Sequence, residues 1–296
     1  MIKLISKGKE FEVDFGVFPN SELYLTNEEI RNINDIEDFS ILWKYQNSED
    51  VLKLYFLSCY LKQVNKEPKQ LIISYLPYSR MDRVDSKTNN IFSLKYITNL
   101  INEFGYQVKV IEAHSDVSIE LLKNSENINL SQEIFKKVED ENNLNKNNTV
   151  IMYPDEGAFK RYNYGLDYTT IYGEKIRDFK TGDILGLELR GKYKLKENAV
   201  IIDDISSKGT TFYKSAEKLF DEGFKNVYLV VTHCENTVTK GELLKCGVSK
   251  VYTTNSLLNT EDELIKKGIE DNKIEVFNLE DILKNIKLIK GGNKNE

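Results

Sequence analysis

The chain has 296 residues, enough for about two domains at roughly 100 to 200 residues each. Its 41 basic and 47 acidic residues leave a net charge of −6, which excludes a broad nucleic-acid-binding surface and makes any anion site a local feature. No apolar run nears the roughly 18 residues of a membrane span, and charge interrupts "MIKLISKGKEFEV" too early for a secretion signal, so no membrane partner and a cytoplasmic protein are expected. In chain order, "QLIISYLPY" (70–78) reads as a strand and "IFSLKYITNLINEFG" (91–105) as a helix. "YQVKVIEAH" (106–114), "NTVIMYPDE" (148–156), "AVIIDD" (199–204) and "FKNVYLVVTHC" (224–234) read as further strands. Short apolar runs bounded by polar turns and alternating with helical patterns indicate buried parallel strands in βαβ units, so the class is α/β. Cys59, Cys234 and Cys246 show no CxxC or Cys/His spacing and are expected as reduced thiols in the core.

An internal echo divides the chain. "INEFGYQVKVIEAHSD" (101–116) and "LFDEGFKNVYLVVTHCE" (219–235) share a helix end, a Gly suited to a left-handed position, a strand, and a His at its carboxyl end. His114 and His233 are the two histidines of the chain. Two tandem copies of one α/β domain follow, 1–131 and 132–296, joined within the polar stretch 124–148, which holds one short amphipathic helix.

The stretch "NAVIIDDISSKGTTFYKSAEKL" (198–219) carries the chemistry. A buried strand runs into Asp203 and Asp204, small and polar residues follow, and a helix begins with Phe212, Ala216, Leu219 and Phe220 on one face. In open α/β sheets ligands sit beyond the carboxyl ends of the strands. A Gly-containing turn into a helix aims backbone N–H groups and the helix dipole at a phosphate, while the acids can hold hydroxyls or a metal. The pattern suits a ribose bearing a 5-phosphate. The plain alternative is an acidic strand end before an ordinary capped helix. No Walker A, HExxH or GxGxxG pattern occurs.

This stretch resembles the phosphoribosyl-pyrophosphate motif of type I phosphoribosyltransferases, and the chain as a whole resembles the ribose-phosphate pyrophosphokinases. "FPNSELYL" (18–25) is similar to that family's F-S-D-G-E segment, "YLPYSRMDR" (75–83) to its PY-x-R-Q-D segment, and "EAHSD" (112–116) to its metal-binding histidine strand. "YPDEG" (153–157) is similar to its PD-x-G turn, and "EKIRD" (174–178) has the Lys-x-Arg of its mobile catalytic loop. The resemblance implies two tandem type I phosphoribosyltransferase-like domains, ATP and ribose 5-phosphate as substrates, Mg2+ as cofactor, and a homo-oligomer. It implies catalysis by Lys175, Arg177 and His114, and metal binding at His114 and Asp155. Arg80 and Asp82 become ATP contacts, joined by Phe18, Asn20 and Glu22 reaching across a subunit boundary. Ribose phosphate falls to Asp203, Asp204, Ser207, Lys208, Gly209, Thr210 and Thr211. His233 receives no role and reads as structural.

The departures bear on the acceptor. The family's D-T-G-G-T appears as Ser207, Lys208, Gly209, Thr210 and Thr211, so an acid is lost, a cation gained, and the second Gly has become β-branched; Met81 and Asn20 replace a Gln and an Asp. Thr210 does not adopt positive φ cheaply, which points to another loop shape, and Lys208 adds a charge. The acceptor is therefore ribose 5-phosphate or a larger 5-diphosphate ribose such as ADP-ribose, which would tie the protein to NAD metabolism. A non-catalytic paralogue of the synthetase and a phosphoribosyltransferase are the alternatives.

Overall fold

The computed structural model describes residues 1–7, 9–84, 90–177 and 184–289. The chain forms two compact units, one built from Met1–Asn129 with the segment from Leu279 onward, the other from Leu130–Asn278.

The first unit contains β1 (Ile2–Ser6), β2 (Lys9–Glu12), β3 (Phe15–Val17), β4 (Leu23–Leu25), α1 (Asn27–Asp35), β5 (Phe39–Trp43), α2 (Glu49–Gln63), β6 (Leu71–Ile73), α3 (Ser93–Asn102), β7 (Val108–Ile111), α4 (Asp116–Glu120) and β8 (Ser125–Ile128). Among the described residues its main sheet runs β2-β1-β5-β6-β7-β8, and β5 to β8 are parallel. Every residue of β5 and β6 is buried, as expected of central parallel strands covered on both faces. β3 and β4 form a separate hairpin.

The second unit contains α5 (Ser131–Asn142), β9 (Thr149–Tyr153), α6 (Glu156–Tyr162), β10 (Thr169–Arg177), β11 (Ile184–Arg190), β12 (Asn198–Ser206), α7 (Thr210–Asp221), β13 (Asn226–Cys234), β14 (Lys250–Thr254), α8 (Glu263–Glu270) and β15 (Ile274–Phe277). Its sheet runs β11-β10-β9-β12-β13-β14-β15, parallel except for β11. The mixed α/β architecture, with mostly parallel sheets flanked by helices, is the expected class. Gly105 and Gly223 end α3 and α7 at φ 75° and 100°, the left-handed geometry the internal echo required.

Two expectations need correction. The sequence assigned 132–296 to the second domain, but α9 (Leu279–Asn285) packs with the first unit, and Leu130 and Ser131 open the second. Leu279, Ile282 and Leu283 are buried, Glu280 reaches Lys3 at 2.9 Å, and Lys284 reaches Glu10 at 2.7 Å. A helix's own pattern shows which face it buries and not the element it buries it against. The cysteines also divide: Cys234 is buried, Cys246 half-buried, and Cys59 exposed on α2. Among the described residues, no helix is long and apolar enough to cross a membrane.

Candidate active site

The order of the second sheet reverses direction at β9, whose neighbours are β10 on one side and β12 on the other. A crevice opens outside the strand ends at such a switch point. The loops and strand ends around it carry Asp155, just beyond β9, and Asp203 and Asp204 on β12. Lys175 and Arg177 lie on β10, where the backbone pairs antiparallel with β11, Lys175 opposite Leu187 and Arg177 opposite Ile184. The sequence placed them in a loop. They stand instead at the end of a long strand, and Asp178 with the rest of 178–183 lies outside the described residues.

β12 does not stop at its acids. Pairing continues from Asp203 with Val231 to Ser206 with Cys234. Asp204 is 2 % exposed and Asp203 16 %, and the Asp204 amide donates to Asp203 Oδ1 at 3.0 Å. Burial, and then the neighbouring Asp204 carboxylate, push the Asp203 carboxyl well above its usual range. Arg161 from α6 supplies a counter-charge, its Nη2 3.6 Å from Asp203 Oδ1 and 3.5 Å from Asp204 Oδ1.

The turn after β12 is held from below. Ser207 Oγ donates to Glu235 Oε2 at 2.6 Å and lies 3.2 Å from Thr237 Oγ1, while the Glu235 amide donates to the Ser206 carbonyl at 2.8 Å. Gly209 takes φ 77°, and neither Lys208 nor Thr210 shares that geometry: Thr210 is the first residue of α7. The loop therefore needs one left-handed residue and not two, which is how it accepts a β-branched residue after Gly209. Packing fixes the same place, since a Cβ on Gly241 would meet the Lys208 carbonyl oxygen at 1.9 Å. Gly209 provides no side-chain cap, so the N-terminus of α7 keeps its backbone donors for another acceptor. Lys208, Thr210 and Thr211 are exposed around it.

Asp155 is the N-cap of α6, accepting from the Ala158 amide at 3.0 Å. This gives the acid an ordinary structural task beside any metal role.

In the first unit, the segments after β6 and β7 meet at the carboxyl end of their sheet. Asp82 is 7 % exposed and its Oδ1 accepts from Arg83 Nε at 2.9 Å. Burial alone would raise the Asp82 carboxyl, but Arg83, the Ser115 hydroxyl and nearby His114 together hold it below its usual range. Asp82 and His114 thus lie near one another, while Arg80 is exposed. Tyr78 holds φ 63° in the intervening turn, with its hydroxyl 3.1 Å from Ser48 Oγ.

The β3–β4 hairpin carries Phe18, Asn20 and Glu22 at its exposed tip. Asn20 Oδ1 accepts from the Glu22 amide at 3.2 Å, so its side chain shapes the turn. Phe18 stacks 4.4 Å from Tyr24 yet stays 50 % exposed, and the Tyr24 ring lies over Gly16, where a Cβ would meet it at 2.3 Å.

No family model matches the chain. A curated protein of Sulfurisphaera tokodaii named ribose-phosphate pyrophosphokinase is 29% identical over 264 residues, covering 83% of this chain and 84% of its own. One of the same name from Pyrococcus abyssi is 24% identical over 276 residues, covering 88% and 92%. Over most of its length the chain is similar to proteins named ribose-phosphate pyrophosphokinase. The fold agrees: a crystal structure of phosphoribosylpyrophosphate synthetase from Mycobacterium smegmatis aligns with a TM-score of 0.69 at 17% identity, over 93% of this chain and 88% of that one.

Two features of the site bear on its chemistry. Among the described residues, no group of three or more His, Cys, Asp or Glu is arranged to hold a metal ion. His114 and Asp155 belong to different units. Each unit thus offers a single carried-over donor, and Mg2+ commonly keeps its waters and uses only one or two protein ligands. The second feature is Arg161, which the sequence reading missed. A basic residue in the last turn of a helix is the ordinary complement to the helix dipole, so nothing in its sequence position marks it.

Proposed function

We propose that the protein is an ATP-dependent pyrophosphokinase that transfers the β,γ-diphosphate of ATP to the 1-hydroxyl of a 5-phosphorylated ribose and releases AMP. The observation that carries this reading is the acid pair Asp203–Asp204 running into the Gly209 turn and the open N-terminus of α7, at the switch point of the sheet. Kinship along most of the chain supplies the reaction class.

In this reading the two acids accept hydrogen bonds from the ribose hydroxyls, and Ser207, Lys208, Gly209, Thr210 and Thr211 surround the 5-phosphate. The sugar 1-hydroxyl oxygen attacks the β-phosphorus as its proton departs, the bond from that phosphorus to the α,β-bridging oxygen breaks, and AMP leaves with the bridging oxygen. Lys175 and Arg177 neutralise the charge that develops. His114 in the first unit and Asp155 in the second are each candidate contacts for Mg2+, directly or through water, and the ion would supply shielding of the phosphate oxygens. Arg80 and Asp82 hold ATP. Phe18, Asn20 and Glu22 complete the adenine pocket of a second subunit, which makes the working protein a homo-oligomer in the cytoplasm. The exposed Phe18–Tyr24 stack on a projecting hairpin supports that assignment.

A second acceptor is favoured by Lys208, an exposed ammonium in a loop where backbone donors already serve one phosphate. ADP-ribose, with two phosphates, would use it. The test incubates the protein with ATP, Mg2+ and either acceptor, then measures AMP and product mass. AMP with ribose 5-phosphate or ADP-ribose upholds the reaction and names the acceptor; no AMP with either returns the non-catalytic paralogue or the phosphoribosyltransferase. If ADP-ribose is the acceptor, Lys208→Thr depresses its kcat/KM by about 10- to 150-fold and that of ribose 5-phosphate less. Equal effects on both would remove Lys208 as the selector.

A further inference from the structure

Two carboxylates on consecutive residues and largely out of water repel one another, and a site that needs both ionised must supply a cation. Arg161 is placed to do so. Its Nη2 is equidistant, to within 0.1 Å, from one oxygen of each acid at 3.6 Å and 3.5 Å. It is no flexible surface partner, since its side chain is 26 % exposed, and its Nε is buried with no hydrogen-bond partner among the described residues. The guanidinium is therefore oriented towards the pair without a competing contact at Nε. Tyr162 supports it from the side, with the guanidinium carbon 5.5 Å from the ring centroid. A Cβ at Gly157 would be in ordinary contact with Arg161 Nη1, at 3.6 Å, and tight only against Asp155 Oδ1, at 3.2 Å.

The consequence concerns what the pair can bind. Two carboxylates alone carry −2 and attract a divalent cation directly; two carboxylates with one guanidinium carry −1 and present acceptor oxygens suited to neutral hydrogen-bond donors. We propose that Arg161 is a positioning residue that sets the charge of the Asp203–Asp204 pair, keeping both acids as acceptors for sugar hydroxyls and turning away a directly bound divalent cation. The inference rests on the ribose-phosphate reading for its substrate and on the geometry of the pair for its charge. Arg161 takes no part in the bond-breaking step and acts through Asp203 and Asp204. It also accounts for a division of labour, in which Asp155 on the same helix remains the acid open to a metal role.

The test has two arms. In the first, Mn2+ binding to the whole protein without nucleotide is measured by electron paramagnetic resonance. Arg161→Gln should gain a Mn2+ site that wild type lacks, and adding Asp203→Asn should abolish it. In the second, Arg161→Gln should raise KM for the ribose-phosphate acceptor about 10- to 100-fold, with KM for ATP within about twofold, and Arg161→Lys should restore most of the loss because it keeps the charge. No new Mn2+ site, KM values for both substrates rising together, or failure of Arg161→Lys to rescue would each overturn the proposal. Should Arg161→Gln not fold, wild type and Arg161→Lys decide: Mn2+ binding by wild type that Asp203→Asn abolishes would make the pair itself the metal site and overturn the proposal, whereas no such site in wild type together with acceptor KM kept by Arg161→Lys upholds it. A wild type that turns over no ribose phosphate sinks the functional reading alone, because the Mn2+ arm still reads Arg161.

Discussion

The strand ends of the two units hold different chemistry in matching places. Val108 and Val227 correspond, as do His114 and His233, and the strands beside them pair Leu71 with Val108 and Ala199 with Val227. On that register Tyr75 of the first unit occupies the place of Asp203, and Leu76 that of Asp204. The first unit fills this place with apolar and aromatic groups: Leu76 is buried and Tyr75 lies 6.4 Å from Tyr45. The second unit puts two acids there and faces them with Arg161. The histidines are exchanged in the opposite sense. His233 is 1 % exposed with Nδ1 2.8 Å from Ser256 Oγ, whereas His114 is half-buried beside Asp82. A repeated frame therefore does not repeat its site, and each strand end commits its polar residues either to the core or to a ligand.

The comparison can be broken by substitution. The largest effect is expected at Lys175 and Arg177, which the first unit does not match: replacing either with Ala should lower turnover by about 10²- to 10³-fold with the fold intact. Near-full AMP production by both variants would remove them from the chemistry. The histidines come next. His114→Ala should cost about 10- to 100-fold in activity or metal affinity with little change in urea midpoint. His233→Ala should spare the chemistry and cost about 1 to 3 kcal/mol of stability, because it removes the buried Nδ1–Ser256 contact, while Ser256 Oγ keeps the Thr232 carbonyl at 3.2 Å. If the two variants behave alike, the matching places are equivalent after all.

The frame was legible in the sequence because burial on both faces writes itself as continuous apolar runs, and "LII" and "TVIMY" are buried throughout. The left-handed helix ends at Gly105 and Gly223 were legible because few other residues tolerate that geometry. The Asp203–Gly209 turn was visible for both reasons. What escaped depends on partners distant in sequence. Arg161 meets acids more than forty residues away, the face of α9 reads equally well against either unit, and the exposure of Cys59 depends on what covers α2. The hairpin β10–β11 escaped because charged residues in "YGEKIRD" read as a loop, whereas the pairing with β11 made them a strand.

The smallest effect is a pH dependence at the acid pair of the second unit. Burial and the Asp204 carboxylate raise the Asp203 carboxyl above its ordinary value of 3.8, so the folded protein holds that proton more tightly than the unfolded chain does. For an acid shifted this way, stability is greatest below the ordinary value and falls as pH rises through the window up to the raised one. Arg161 offsets part of the cost and does not reverse its sign. Asp203→Asn removes the titrating group while keeping an acceptor oxygen, so it should raise Tm relative to wild type at about pH 7 to 8, by about 2 to 4 °C for each kcal/mol recovered. The gain should shrink towards about pH 4, where wild-type Asp203 is itself protonated. Tyr75→Phe, at the matching place of the first unit, should show no such trend below about pH 9, because a phenol stays neutral there. Thermal melts of both variants across that range decide the matter: a Tm difference for Asp203→Asn that is flat with pH, or negative at about pH 8, would mean that the acids are not held at a cost to the fold, and that the strand end of the second unit is as settled as that of the first.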